Sequence, residues 1–253
     1  MIHYHTILHR AFKQAFKDEM IDVNPFDRIE RPKKNKFQGA HYSEEELVAL
    51  FELSRTDTIW PAIVLAGGMG LRRSEALGVR WSRIDLDSRT VLLDTKIVED
   101  HDEDGNVIVL AIEEMKNKTS RRTLPIPDPV FEMLGTVKAK QEINRKLFRK
   151  SYNRDWDDYV CTDDLGNLIK PNYLTGRFGE LLNRIGMRHI RFHDLRHTFA
   201  SVLINKEVPL INVSNFLGHS TISTTANIYA HLDHSEKQNS ADVISDIFRK
   251  EKE

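Results

Sequence analysis

The chain has 253 residues, of which 40% are hydrophobic and 30% charged, and a formal net charge of −1 with histidine neutral. Length and composition suit a globular protein of one large or two small domains, and the near-zero charge gives no overall attraction to nucleic acid, so such a partner would need basic residues clustered on one surface. No apolar run approaches the roughly 20 residues of a membrane span, the amphipathic start MIHYHTILHRAFKQ lacks the apolar core of a secretory leader, and a single cysteine, Cys161, excludes an intramolecular disulfide framework and suits a reducing cytoplasm.

In chain order, residues 4–20 predict one amphipathic helix, because Ile7/Leu8, Ala11/Phe12 and Ala15/Phe16 recur every four residues. One helix cannot bury that stripe alone, so it packs on the rest of the chain or ends a domain that is mostly missing. Asn24-Pro25 stops it. The basic stretch ERPKKNKF, with Lys33, Lys34 and Lys36, then reads as a linker or a solvated tether. These features separate a segment 1–38 from a main body 39–253.

Ser43-Glu44-Glu45-Glu46 has capping-box spacing ahead of LVALFEL, and helix continues through WPAIVLAGGMG and RRSEALGV. TVLLDTKIV and VIVLAI are β-branched runs on either side of HDEDGN, where Asp104-Gly105 signals a turn. RRTLPIP predicts a third strand, held to an edge by its prolines. From Asp128 onward the pattern is helical, with breaks near 163–170, Gly186 and Gly218. The fold class is therefore α+β, mostly α-helical, with a small three-stranded antiparallel sheet. At about 236–250 a last helix carries Val243, Ile244, Ile247 and Phe248 on one face, to dock on its own domain or in a neighbour's groove.

Four separated segments concentrate polar chemistry. GMGLRRSEAL places Arg72 and Glu75 three apart, a spacing common in surface ion pairs. EEMKNKTSRRTLPIP sets Lys116, Lys118, Arg121 and Arg122 around a β-turn. FHDLRHTFAS brings His193, Arg196 and His197 within five residues. FLGHSTISTTANIYAHL has His219 after a glycine and Tyr229 ten residues later. None has zinc-ligand or phosphate-loop spacing, so the reading calls for no metal and no cofactor. A cationic pocket of this kind suits a phosphodiester, because arginine forks match phosphate oxygens and hold their charge at any working pH.

The order GLRRSEAL, KNKTSRRTLPIP, HDLRH, LGH and then tyrosine resembles the catalytic domain of tyrosine recombinases, and within them phage and conjugative-transposon integrases. The resemblance runs from about Ser43 to His231 and implies the DNA breaking-rejoining fold. It implies a pocket of Arg72, Lys116, His193, Arg196, His219 and Tyr229, with Lys118 the alternative to Lys116. Tyr229 would attack a DNA phosphorus, leaving a 3′-phosphotyrosine and a free 5′-hydroxyl, with Lys116 as acid and His193 as base or orienting partner. Arg72 and Arg196 would hold the non-bridging oxygens, and His219 would donate to the phosphate. Glu75 and His197 would support the site. The implied partners are double-stranded DNA, other protomers in a tetramer joined through the C-terminal helix, and excision or host accessory proteins, with no membrane. Segment 1–38 resembles the end of a core-binding domain. Local DNA contacts are expected from Lys33, Lys34, Lys36, Arg73, Arg121 and Arg122. A type IB topoisomerase-like enzyme and an inactive DNA-binding module of the same fold are the other readings.

Overall fold

The computed structural model describes residues 2–30, 41–113 and 121–218. Lys33, Lys34, Lys36, Lys116, Lys118, His219, Tyr229 and the predicted C-terminal helix lie outside the described residues. The chain divides into two compact units, Met1–Gly39 and Ala40–Glu253.

In the first unit, α1 (Ile2–Lys17) ends three residues before the predicted boundary. Met20 donates its backbone N–H to the Ala15 carbonyl at 2.9 Å and Glu19 donates to that of Phe16 at 3.2 Å. Glu19 takes the left-handed conformation (φ 57°). This is the Schellman closure of a helix, with glutamate where glycine is usual. Asn24 then caps a 3-10 turn, Pro25–Arg28, and the Phe26 ring meets those of His5 and Phe12 at 5.7 and 5.2 Å. The predicted stripe is only partly covered: Phe12 and Ala15 are half-buried, whereas Ile7, Leu8 and Phe16 are exposed.

The second unit opens with α2 (Glu44–Leu53), whose capping box is present: Ser43 Oγ accepts from Glu46 N at 3.2 Å, and Ser43 N donates to Glu46 Oε2 at 2.8 Å. There follow α3 (Trp60–Met69), α4 (Arg73–Leu77), β1 (Ile84–Asp85), β2 (Thr90–Leu93), β3 (Thr95–His101), β4 (Val107–Glu113), β5 (Arg122–Pro125), α5 (Asp128–Phe148), α6 (Pro171–Arg184), α7 (Asp194–Asn205) and α8 (Leu210–Leu217). Helix α3 is apolar on every side and accordingly buried. It packs against α4, α5 and α7. A second apolar cluster, Phe199, Ala200, Val213 and Leu217, joins α7 to α8. Phe199, Val213 and Leu217 each contribute roughly 1.5–3 kcal/mol on burial, enough together to fix where α8 ends.

A three-stranded antiparallel sheet forms, but its strands are not those the sequence pattern suggested. The order is β1-β2-β5, and β3-β4 make a separate two-stranded ribbon. The run TVLLDTKIV divides at Asp94, whose carboxylate takes Arg80 Nη2 at 2.9 Å and Arg83 Nε at 2.8 Å. Periodicity along these nine residues predicts one strand, since it does not reveal a charge anchored sideways. β5 does lie at an edge, with Arg122 opposite Leu93 and Leu124 opposite Val91. No helix among the described residues is long and apolar enough to cross a membrane.

Candidate active site

Two helices end in left-handed glycines, and both ends meet. Gly70 closes α3 at φ 64° and Gly218 closes α8 at φ 67°. The last carbonyls of a helix have no partner inside it and carry the negative end of its dipole. Here arginines from elsewhere take them. At the end of α8, three consecutive carbonyls receive three different guanidiniums. Arg122 Nε donates to Phe216 O at 3.1 Å, Arg196 Nη2 to Leu217 O at 2.8 Å, and Arg72 Nη2 to Gly218 O at 3.4 Å. Arg196 also reaches the other helix end, giving Nη1 to Gly70 O at 2.7 Å.

Glu75 is the carboxylate within this cluster. It accepts Arg72 Nη1 at 2.7 Å and Arg72 N at 3.0 Å, and both Arg122 Nη1 and Nη2 at 3.3 and 3.1 Å. Burial, at 3% exposure, would raise its pKa. The charge and hydrogen bonds of Arg122, joined by those of Arg72, outweigh that and hold it down to about 2. Two guanidiniums, Arg72 and Arg122, thus share this one carboxylate, while Arg196 binds the neighbouring carbonyl of Leu217, an excess of positive charge that a phosphodiester would complete. Arg72 is the most accessible of the three, with its side chain 36% exposed against 10% for Arg122.

His193 is the residue before α7, and Arg196 lies in that helix's first turn. The His193 ring meets His197 edge-on at 5.1 Å. Burial of the ring, with repulsion from His197 when protonated and from Arg196, pushes the His193 pKa down to about 4, although the residue is partly exposed to solvent. His193 is therefore neutral at pH 7 and offers a lone pair as hydrogen-bond acceptor. His197 is also lowered, first by burial. Asp194 fixes the start of α7 by accepting Arg191 N at 2.9 Å and Arg191 Nη2 at 2.7 Å. Thr198 accepts Tyr42 N at 3.1 Å, tying α7 to the start of the unit.

Of the predicted site residues, Arg72, His193 and Arg196 are described, and Arg72 and Arg196 meet at adjacent carbonyls. Lys116, His219 and Tyr229 lie outside the described residues. Two of the expected DNA contacts sit differently from the expectation. Arg122 is turned inward onto Glu75 and α8. Half-buried Arg73 gives Nη1 to Thr175 Oγ1 at 2.7 Å and to Pro171 O at 3.2 Å, joining α4 to the start of α6. Arg121 is exposed. A strand signal for Arg122 was available: residues 122, 124 and 126 share one face, and Leu124 and Ile126 are buried.

A second basic group went unremarked in the sequence. Arg145, Lys146, Arg149, Lys150 and Arg154 line an open cleft of about 510 Å³ at the C-terminal end of α5. Arg145 pairs with Asp157 at 3.1 Å. Among the described residues no group of three or more histidine, cysteine, aspartate or glutamate side chains is placed to hold a metal ion.

Comparison with known proteins identifies the family. The phage integrase family profile matches residues 42–236. A "Tyrosine recombinase XerC-like" protein of Caldanaerobacter subterraneus subsp. tengcongensis is 36% identical over 211 residues, covering 82% of this chain and 54% of that protein. The ICEBs1 integrase of Bacillus subtilis is 24% identical over 245 residues, covering 96% of this chain and 64% of that protein. This chain thus spans about half to two thirds of those relatives' length. The Tn1549 transposon integrase, solved in complex with a circular intermediate DNA, shares the fold at a TM-score of 0.75 and 20% identity, covering 94% of this chain and 78% of that one. The chain belongs to the phage integrase family.

Proposed function

We propose that this chain carries the catalytic domain of a site-specific DNA recombinase, which cuts and rejoins DNA through a 3′-phosphotyrosyl intermediate to integrate or excise mobile DNA. The observation that carries the proposal is the convergence of Arg72 and Arg196 on adjacent carbonyls at the end of α8, one residue ahead of His219 in the chain. A scissile phosphate placed there accepts hydrogen bonds on its non-bridging oxygens from these two guanidiniums. Arg72 is the readier to turn, since its bond to Gly218 is the longest of the three at 3.4 Å. Preorganised donors aimed at developing phosphate charge typically contribute about 3 kcal/mol each to the rate.

Tyr229 attacks phosphorus and displaces the 5′ oxygen. A phenol with a pKa near 10 is a weak nucleophile at neutral pH, and the excess positive charge of the pocket favours phenolate as it forms. Neutral His193 accepts or steers the phenol proton, Lys116 protonates the leaving oxygen, and His219 donates to the phosphate. The phosphotyrosyl bond retains the phosphodiester energy, so a 5′-hydroxyl of another strand reseals without ATP.

The partners under this reading are double-stranded DNA and further protomers, in a tetramer joined through the helix at about 236–250, with accessory proteins setting direction. The Tn1549 transposon integrase was solved with DNA and lambda integrase as a dimer bound to a COC′ core site. Segment 1–38 is read as the end of a core-binding domain, with its basic linker toward DNA.

The test is incubation with a pool of nicked duplexes of varied sequence, followed by a denaturing gel. A covalent protein–DNA product from the wild type and none from Tyr229→Phe, which still binds DNA, is the expected result. Equal product from both proteins, or none from the wild type across the pool, would exclude the mechanism.

A further inference from the structure

We infer that Arg122 is a positioning residue for this pocket: by forking onto Glu75 and onto the last turn of α8, it sets the geometry and the available charge of Arg72. The inference rests on the proposed function, but its geometry stands independently. All three donor nitrogens of Arg122 are spent, Nη1 and Nη2 on the two Glu75 oxygens at 3.3 and 3.1 Å and Nε on Phe216 O at 3.1 Å. The strand β5, the helix α4 and the end of α8 are thereby held by one side chain.

Charge gives this fork a consequence for chemistry. Glu75 Oε1 also holds Arg72 Nη1 at 2.7 Å. With Arg72 alone, the pair would be neutral and the carboxylate would compete with any phosphate for that guanidinium. Arg122 shares the carboxylate, so positive charge on Arg72 remains for an anion. With Nε, Nη1 and Nη2 all bound within the protein, Arg122 is placed to work on its neighbours rather than on DNA. It acts through Glu75 and Arg72.

Gly218 fits the same account. A Cβ there would lie 3.1 Å from Arg122 Nη1 and 3.2 Å from Cζ and Nε, so the guanidinium lies flat against the glycine. Lysine at 122 would keep the charge and lose the planar fork.

The experiment uses the full chain and a nicked duplex that the wild type cleaves. Single-turnover adduct formation and DNA affinity are measured separately for Arg122→Gln, Arg122→Lys, Glu75→Gln and the double variant Arg122→Gln/Glu75→Gln. Arg122→Gln is expected to slow adduct formation at least about tenfold, with affinity changed by less than about threefold. Arg122→Lys is expected to recover part of that rate. In the Glu75→Gln background, Arg122→Gln is expected to add little, as for two residues acting as one unit. A wild-type rate in Arg122→Gln, an affinity loss matching the rate loss, or full additivity with Glu75→Gln would overturn the inference.

Should Arg122→Gln fail to fold, Arg122→Lys carries the same test, and a wild-type rate there overturns it. A second arm needs no cleavage. The Glu75 carboxyl is titrated by NMR, and its pKa is expected to rise from about 2 when Arg122 is replaced. An unmoved pKa refutes the coupling. Absence of wild-type adduct, by contrast, would refute only the proposed function.

Discussion

Two basic regions of this molecule differ in what their cations touch. At the end of α8, Arg72, Arg122 and Arg196 are bound to carbonyls and a carboxylate, and Arg196 is only 3% exposed. At the end of α5, five cations line an open cleft, and Arg145 alone among them pairs with an acid among the described residues. Both groups lie at helix C-termini, where cations complement the dipole. In the first, desolvation makes each interaction strong and its loss costly. In the second, water and salt screen the charges, and the same residue types contribute little. Counting basic residues would rank the cleft higher, whereas their partners single out the pocket.

Arg196→Ala gives the largest expected effect. It strips charged donors from the buried carbonyls of Gly70 and Leu217 and should cost on the order of 3 kcal/mol in urea unfolding. Adduct formation should fall about a hundredfold or more. Glu75→Gln comes next. The Glu75 pKa is lowered in the fold from 4.5 to about 2, so its contribution is present above pH 4.5 and is lost as pH falls toward 2. That contribution is on the order of 3 kcal/mol at neutral pH. Glu75→Gln should flatten the stability curve across that window, as chemical denaturation at stepped pH would record.

Gly218→Ala should cost about 1–2 kcal/mol in thermal or urea melts, from the left-handed φ alone, with the Arg122 contact adding to it. His193→Asn should act more weakly and at a different pH. The His193 pKa falls from 6.5 to about 4 on folding, so its contribution is present above pH 6.5 and fades as pH drops toward 4. The variant should remove that part of the slope. The smallest effect belongs to the cleft: Lys146→Ala with Lys150→Ala should change stability by less than about 0.5 kcal/mol. A cost near that of Arg196→Ala would erase the distinction between the two regions.

Much of this was legible in the residues. Ser43 and Glu46 announced their capping box, the all-apolar WPAIVLAGGM announced a buried helix, and Asp104-Gly105 announced the ribbon turn. These are local effects, set within one or two turns by hydrogen-bond spacing and side-chain periodicity. The split at Asp94 was not legible, because Arg80 and Arg83 reach it through the fold. Nor was the end of α1, where glutamate fills a position that favours glycine.

The sequence by itself determined which side chains are available, in what order, and which segments would be helical: it offered Arg72, Glu75, Arg122, His193 and Arg196 with the right chemistry. It could not say which of its arginines would be committed and which left to solvent. That depended on where α3 and α8 end relative to each other, which the burial of α3 and the packing of Phe199 and Leu217 decide. Hydrogen-bond partners from β5, α4 and α7 are separated along the chain, and only a packed core brings their donors to the same few carbonyls.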